Sequence, residues 1–188
     1  MRILAVSGSL RSGSHNTGLL RALREEAPEG VEIELWDGLA EIPAYDADED
    51  GVPGPAAVEA FRSVVRDADA VFFSTPEYNS SIPGALKNAL DWASRPLATN
   101  VFRNKPVAVV SASAGAFGAV WASAELRKVL GAMGSRVADV ELAVGHAGEK
   151  FDEDGSLIDH EVRDTLREAL EILVSEVTPA EVALDLSR

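Results

Sequence analysis

The chain contains no cysteine, so it has no disulfide, no thiolate nucleophile and no sulfur ligand for zinc or an iron–sulfur cluster. Histidine is scarce: His15, His146 and His160 are scattered and form no metal-ligand spacing, so no metal site is expected. Basic residues are few, 17 Lys and Arg against 31 Asp and Glu, giving a formal charge of −14. Nucleic acid and anionic membranes are therefore poor partners, because both require a surplus of cations. No apolar run approaches the ~20 residues that span a bilayer. A strand pattern begins almost at Met1 and leaves no room for a signal peptide, so the expected location is the cytoplasm.

What is present is an ordinary globular composition, 46% hydrophobic and 26% charged, over 188 residues. That length is expected to fold as one domain, 1–188. Five short apolar runs recur, at 2–7, 31–36, 69–75, 106–112 and 136–144. Those around Val71–Ser74 and Val107–Val110 are continuous, the pattern of strands covered on both faces. Helical patterns fall between and after them, at 16–27, 55–67, 82–95, 119–133 and 160–176. Strict alternation implies an α/β fold, a parallel sheet between two helical layers.

Residues 8–16, Gly-Ser-Leu-Arg-Ser-Gly-Ser-His-Asn, join the first strand to the first helix. A Gly- and hydroxyl-rich loop feeding a helix start suits an anion, because the first helical N–H groups lack partners and the dipole favours negative charge. Ser9, Ser14, Asn16 and Thr17 add side-chain donors, and Arg11 adds a forked cation. The plainer alternative is that Ser14 or Asn16 merely caps the helix. The triphosphate loop GxxxxGK[ST] fails because Ser14 stands where Lys is required. The dinucleotide fingerprint also fails, with no acidic residue closing a second strand about 20 residues on. A monophosphate cradle is what remains.

Five strands with such a loop after the first predict the flavodoxin-like order 2-1-3-4-5, in which ligands lie beyond the carboxyl ends of the strands. The loops after strands three and four should then also carry chemistry. They read Thr75-Pro-Glu-Tyr-Asn-Ser-Ser-Ile-Pro-Gly84 and Ser111-Ala-Ser-Ala-Gly-Ala-Phe-Gly118. The acidic stretch 37–55 reads as a solvated surface loop, with the alternative that Ile42, Pro43 and Tyr45 line a neighbouring subunit's ligand site. Phe151–Leu157 invites a calcium-loop reading, but its glycine comes too early and the twelfth-position Glu is missing, so a tight Asx turn is expected.

Three motifs resemble the NAD(P)H-dependent FMN reductases, a flavodoxin-like group that includes quinone, azo-dye and chromate reductases. They are the loop Gly8–Asn16, the run Pro76-Glu-Tyr-Asn79 continued by Ile82–Trp92, and the looser Ser113–Gly118 leading to Leu126-Arg127. The resemblance implies a three-layer sandwich with a five-stranded parallel sheet and a non-covalently bound FMN. Ser9, Arg11, Ser14, Asn16 and Thr17 would hold its phosphate. Pro76, Glu77, Tyr78 and Asn79 would follow the isoalloxazine edge, largely through backbone groups, and Ser113 and Gly115 would close the other side. Lys87, Asn88, Asp91 and Trp92 are read as structural, Trp92 in the core and Asn88 and Asp91 bracing loops. Ser80, Ala119 and Trp121 depart from the family pattern; relatives often carry Arg at the last.

The resemblance further implies NAD(P)H as electron donor, ping-pong hydride transfer to a quinone, flavin, azo or similar small-molecule acceptor, no catalytic acid, base or nucleophile from the protein, and self-association to a dimer or tetramer. A flavodoxin-type electron carrier is the rival reading, and a phosphate-binding domain without a redox cofactor is a second.

Overall fold

A computed structural model describes residues 1–51 and 53–177. The chain alternates β1 (Arg2–Ser7), α1 (His15–Glu25), β2 (Glu32–Trp36), α2 (Ala56–Asp67), β3 (Ala70–Thr75), α3 (Gly84–Ala93), β4 (Pro106–Ala112) and α4 (Val120–Ala132). Two very short strands, β5 (Arg136–Val137) and β6 (Ala143–Val144), precede α5 (His160–Val177). The sheet is parallel, ordered β2-β1-β3-β4-β5, with β6 also paired to β4. This is the expected 2-1-3-4-5 order and flavodoxin-like sandwich.

The alternation of side chains along a strand builds two cores. Ile3 and Ala5 of β1 point to the face covered by α1 and α5, where they meet Leu19, Leu23, Phe72 and Leu170. Leu4 and Val6 point to the opposite face and join Phe61 of α2, Trp92 of α3 and Leu126 of α4. Every residue of β3 and β4 is buried, which explains their unbroken apolar runs.

The fifth strand departs from expectation. The apolar run 136–144 forms two pieces, because the chain advances six residues from Val137 to Ala143 while β4 advances only four, from Val107 to Ser111. The excess loops out, its Ala138 carbonyl accepting from the Val140 amide at 2.9 Å, and Arg127 of α4 braces it. One guanidinium nitrogen of Arg127 donates to the carbonyls of Ala138 and Val140 at 2.9 and 2.8 Å. Hydropathy cannot reveal a bulge whose partner is an arginine on another element.

The stretch 37–55 is solvated only in part. Ile42 belongs to this chain's own core, and the Pro43 carbonyl accepts from Asn88 Nδ2 and Trp92 Nε1 at 2.8 and 2.9 Å. The Tyr45 amide donates to Asn88 Oδ1 at 2.8 Å. Buried Arg62 holds the far end through Asp50 at 3.2 Å. These contacts strap the segment to α3 and fix Asn88 as a brace and Trp92 as core, whereas the Asp91 carboxylate pairs with Lys87 one helical turn back. The 151–157 turn is an Asx turn, Asp152 Oδ1 accepting from the amides of Asp154 and Ser156. Among the described residues no helix is long and apolar enough to cross a membrane.

α5 is anchored by Glu26, just past α1, which accepts from Arg163 at 3.0 Å and Arg167 at 2.9 Å. The hydrogen bond from Arg163 leads in holding the Glu26 carboxyl below its ordinary range, with Arg167 adding to it against the opposing effect of burial. A carboxyl so depressed stabilises the fold above its unfolded pKa, and that contribution disappears as pH falls through the folded value. Glu26→Gln should therefore lower stability by about 1 kcal/mol at neutral pH. The difference from the parent should narrow below about pH 4.3, as followed by thermal unfolding across an acid series.

Candidate active site

The carboxyl ends of β1, β3 and β4 open into a cleft of about 350 Å³. Ser9, Arg11, Ser14 and Asn16 line it from the first loop, Pro76, Glu77 and Tyr78 from the second, and Ser113 from the third. Its walls also include His15, Ala112 and Ala114, none of them singled out from the sequence. His15 lay inside the motif itself; the two alanines carry no chemical signal.

The first loop is drawn onto β3 by the Gly8 amide, which donates to the Ser74 carbonyl at 2.8 Å. A Cβ on Gly8 would come within 3.0 Å of Leu86 and 3.1 Å of Thr75, so only glycine lets the loop sit this close. The Ser7 hydroxyl then accepts from the Ser9 amide and the Ser9 hydroxyl from the Arg11 amide, both at 3.3 Å. Ser14 is the N-cap of α1, its Oγ accepting from the Thr17 amide at 3.4 Å, while its side chain still lines the cleft. The capping and cradle readings thus describe the same residue.

The Asn16 side chain is turned inward, while its backbone amide stays unpaired among the described residues. It is buried, its Nδ2 donates to the Ala112 carbonyl, and its Oδ1 accepts from the Ala112 amide and the Ser74 hydroxyl, each at 2.9 Å. One side chain thereby pins the start of α1 to the ends of β3 and β4. Thr17 likewise turns away: its hydroxyl shares a 2.9 Å hydrogen bond with Ser7 and borders a separate cavity of about 330 Å³ beside Arg21 and Asp37.

The second loop turns back on itself. Tyr78 and Ser81 exchange both backbone hydrogen bonds, at 3.0 and 3.1 Å, around left-handed Asn79 (φ 52°) and Ser80 (φ 59°). Asn79 sits exposed at the tip, outside the cleft lining. Glu77 Oε2 accepts from the amides of Trp121 and Ala122 at 3.1 Å each, so its charge caps the start of α4. In the third loop the Gly115 amide donates to Ser113 Oγ at 3.1 Å. The carbonyls of Ser113 and Gly115 accept from the amides of Ala147 and His146. Gly145 must be glycine, since a Cβ there would lie 2.3 Å from the Ala116 carbonyl oxygen.

These features suit a phosphate. Among the described residues the amides of Gly13, Ser14, His15 and Asn16 find no acceptor within the chain, and Arg11 makes no ion pair. Unpaired donors, a helix N-terminus and a free cation thus meet at one mouth. No group of three or more His, Cys, Asp or Glu among the described residues could hold a metal ion.

A flavodoxin-like sheet with such a cleft at its switch point defines a mononucleotide-binding protein. The family model for NADPH-dependent FMN reductase matches residues 1–149, and the chain belongs to that family. It is 42% identical over 174 residues to an NAD(P)H-dependent FMN reductase of Pseudomonas aeruginosa, covering 92% of this chain and 93% of that one. It is 39% identical to an NADPH:quinone oxidoreductase of Arabidopsis thaliana, over 90% and 88% of the two chains. The fold matches the flavoenzyme NAD(P)H:acceptor oxidoreductase FerB of Paracoccus denitrificans with a TM-score of 0.84 and 32% identity, over 94% and 97% of the chains. The protein is therefore an FMN- and NAD(P)H-dependent oxidoreductase, and the passive-carrier and cofactor-free readings fall away.

Replacing Asn16 with Ala strands the Ala112 amide and carbonyl and the Ser74 hydroxyl. A loss of about 2–4 kcal/mol is expected in denaturant unfolding. An unchanged midpoint and slope would show that the clamp is dispensable.

Proposed function

We propose that the chain, acting as a single domain, holds FMN in this cleft and reduces quinone-type acceptors at the expense of NAD(P)H in a ping-pong cycle. The observation that carries the reading is the convergence of the unpaired 13–16 amides, Arg11 and the Ser9 and Ser14 side chains at one mouth of the cleft. The phosphate belongs there, with Asn16 and Thr17 positioning the cradle from behind. Pro76, Glu77, Tyr78 and Asn79 flank one edge of the ring, and Ser113 and Gly115 flank the other.

FMN, when bound, would supply the redox chemistry, the relay of electrons from NAD(P)H to the acceptor. The protein's residues bind and orient. The first-loop donors set the depth of the phosphate, the reversed turn at 78–81 fixes the height of the second wall, and the pinned 113–116 segment offers backbone donors to charge that develops on the ring. No side chain need move a proton. Donor and acceptor use the same open face in turn, which makes the cycle ping-pong. A cytoplasmic location, where NAD(P)H is supplied, belongs to the same reading.

Self-association belongs to the same reading. Tyr78, Phe117 and Trp121 stand on the rim, 53%, 67% and 50% exposed, and Phe117 meets Trp121 edge-on at 5.2 Å. Exposed aromatics grouped at a cleft are covered by a second copy in a dimer or tetramer.

The purified protein should be yellow, and steady-state NAD(P)H oxidation with a quinone should give parallel double-reciprocal lines; intersecting lines would overturn the ping-pong order. Arg11→Ala and Ser14→Ala should each weaken FMN binding, by about 10- to 100-fold for the charged group and about tenfold or less for the hydroxyl. Fluorescence titration of the apoprotein measures both, and unchanged affinity in the two variants would remove the cradle from the account.

A further inference from the structure

His15 opens the first turn of α1, one residue past the N-cap Ser14, and lines the cleft among Ser9, Arg11, Ser14 and Asn16. Its ring stacks on Phe151 with centroids 5.0 Å apart and planes 28° apart. That stack is itself held: a Cβ on Gly18 would lie 2.7 Å from the Phe151 ring, and Phe151 is paired across the Asx turn to Leu157. The imidazole is thus a rigid, titratable group at the mouth where four amides and an arginine already converge, and its hydrogen-bonding nitrogens make no contact within the chain among the described residues.

We propose that His15 is a phosphate ligand of the cradle and that FMN binding is coupled to proton uptake by its ring. The inference rests on the reading that the FMN phosphate occupies this mouth.

The charges around the ring fix the sign. From its own loop Arg11 faces it as a cation. Across the cleft stand Tyr78 and Glu77, the latter engaged with the amides that begin α4. The turn packed on it carries Asp152, whose Oδ1 is filled by two turn amides, and the exposed Glu153 and Asp154. Further along that segment Lys150 and Asp159 pair with each other. On α1 the residues one turn on, Gly18 and Leu19, bear no charge. Burial first, then Arg11, hold the His15 imidazole below its ordinary value, so the ring is neutral in the empty cradle at neutral pH.

A phosphate dianion reverses that balance. It offers the ring an acceptor and offsets Arg11, so the cationic ring becomes the favoured form beside the ligand. Affinity must then rise as pH falls through the ligand-bound pKa of His15 and level off below the free one. A neutral ring whose only work is to stack on Phe151 would give no such dependence.

The test is FMN affinity of the apoprotein against pH, by flavin fluorescence, for the parent, His15→Phe and His15→Gln. His15→Phe keeps an aromatic ring against Phe151, and His15→Gln keeps a neutral donor. At about pH 6 the parent should bind FMN about tenfold tighter than His15→Phe, with the gap closing toward about pH 8.5. The second ionisation of the phosphate, near pH 6, is common to all three proteins and cancels in their ratio. Riboflavin, which lacks the phosphate, should show no difference in pH profile between parent and variants. Calorimetry in two buffers of unlike ionisation enthalpy should register net proton uptake by the parent that is diminished in both variants. Parallel FMN profiles for the parent and both variants would overturn the proposal while leaving the FMN site intact. Failure of the parent to bind FMN at any pH would sink the site assignment as well.

Discussion

The site depends on the side-chain amide of Asn16. Parallel strands end independently, and nothing in a sheet ladder requires the loops beyond it to converge. Asn16 supplies that requirement, because its amide satisfies both backbone groups of Ala112 and the Ser74 hydroxyl from a single buried position. These are groups that the end of β4 would otherwise leave unpaired away from water, at a cost that makes the arrangement strongly preferred. The α1 N-terminus is thereby locked against β3 and β4, and its unpaired amides face the space between the second and third loops. The first, second and third loops hold a common frame through one residue.

The architecture was legible because it rests on burial. Continuous apolar runs at β3 and β4 reflect burial on both faces, and the helical stripes reflect the two cores. The chemical loops were legible because glycine, proline and hydroxyl residues gather in long runs at the carboxyl ends of β1, β3 and β4. What escaped was cross-chain satisfaction of polar groups. Asn16 in a Gly/Ser loop looks like one more donor, and only its burial shows that its amide is turned inward. The bulge between β5 and β6 depends on Arg127, ten residues upstream of Val137, and an exposed-looking arginine in a helix carries no such message. The strap at 37–55 is similar: its acidic composition suggests solvent, while Ile42, the Pro43 carbonyl and Tyr45 are held by α3. Ser14 caps α1 through its hydroxyl and also lines the cleft.

An anion site in a chain of formal charge −14 needs a local solution. Here several carboxylates near the important elements are already engaged. Glu26 is taken by Arg163 and Arg167, Asp50 by Arg62, and Glu77, the one acidic side chain lining the cleft, by the amides that begin α4. Arg11, the arginine lining the cleft, makes no ion pair among the described residues. Distant acidic surface is screened beyond about 8 Å at physiological salt, so the field at the cradle is set by Arg11 and the helix N-terminus.

Backbone strain is concentrated at the same end of the sheet. Of the five non-glycine residues with left-handed φ among the described residues, four (Asn79, Ser80, Ala119 and His146) lie in the loops that build or support the cleft, and Asn104 does not. Each costs on the order of 1 kcal/mol or more and persists only where the surroundings fix it. At Ala119 the compensation is visible: α4 begins without a side-chain cap of its own, and Glu77 reaches across from the second loop to cap it. At His146 it is the amide bond to the Gly115 carbonyl, and at Asn79–Ser80 the paired bonds of Tyr78 and Ser81. At Ala119 and His146 the contact that holds the strained residue also sets the spacing of two loops. A loop that relaxed would change the width of the cleft, so the strain and the shape of the cleft are maintained by the same few hydrogen bonds.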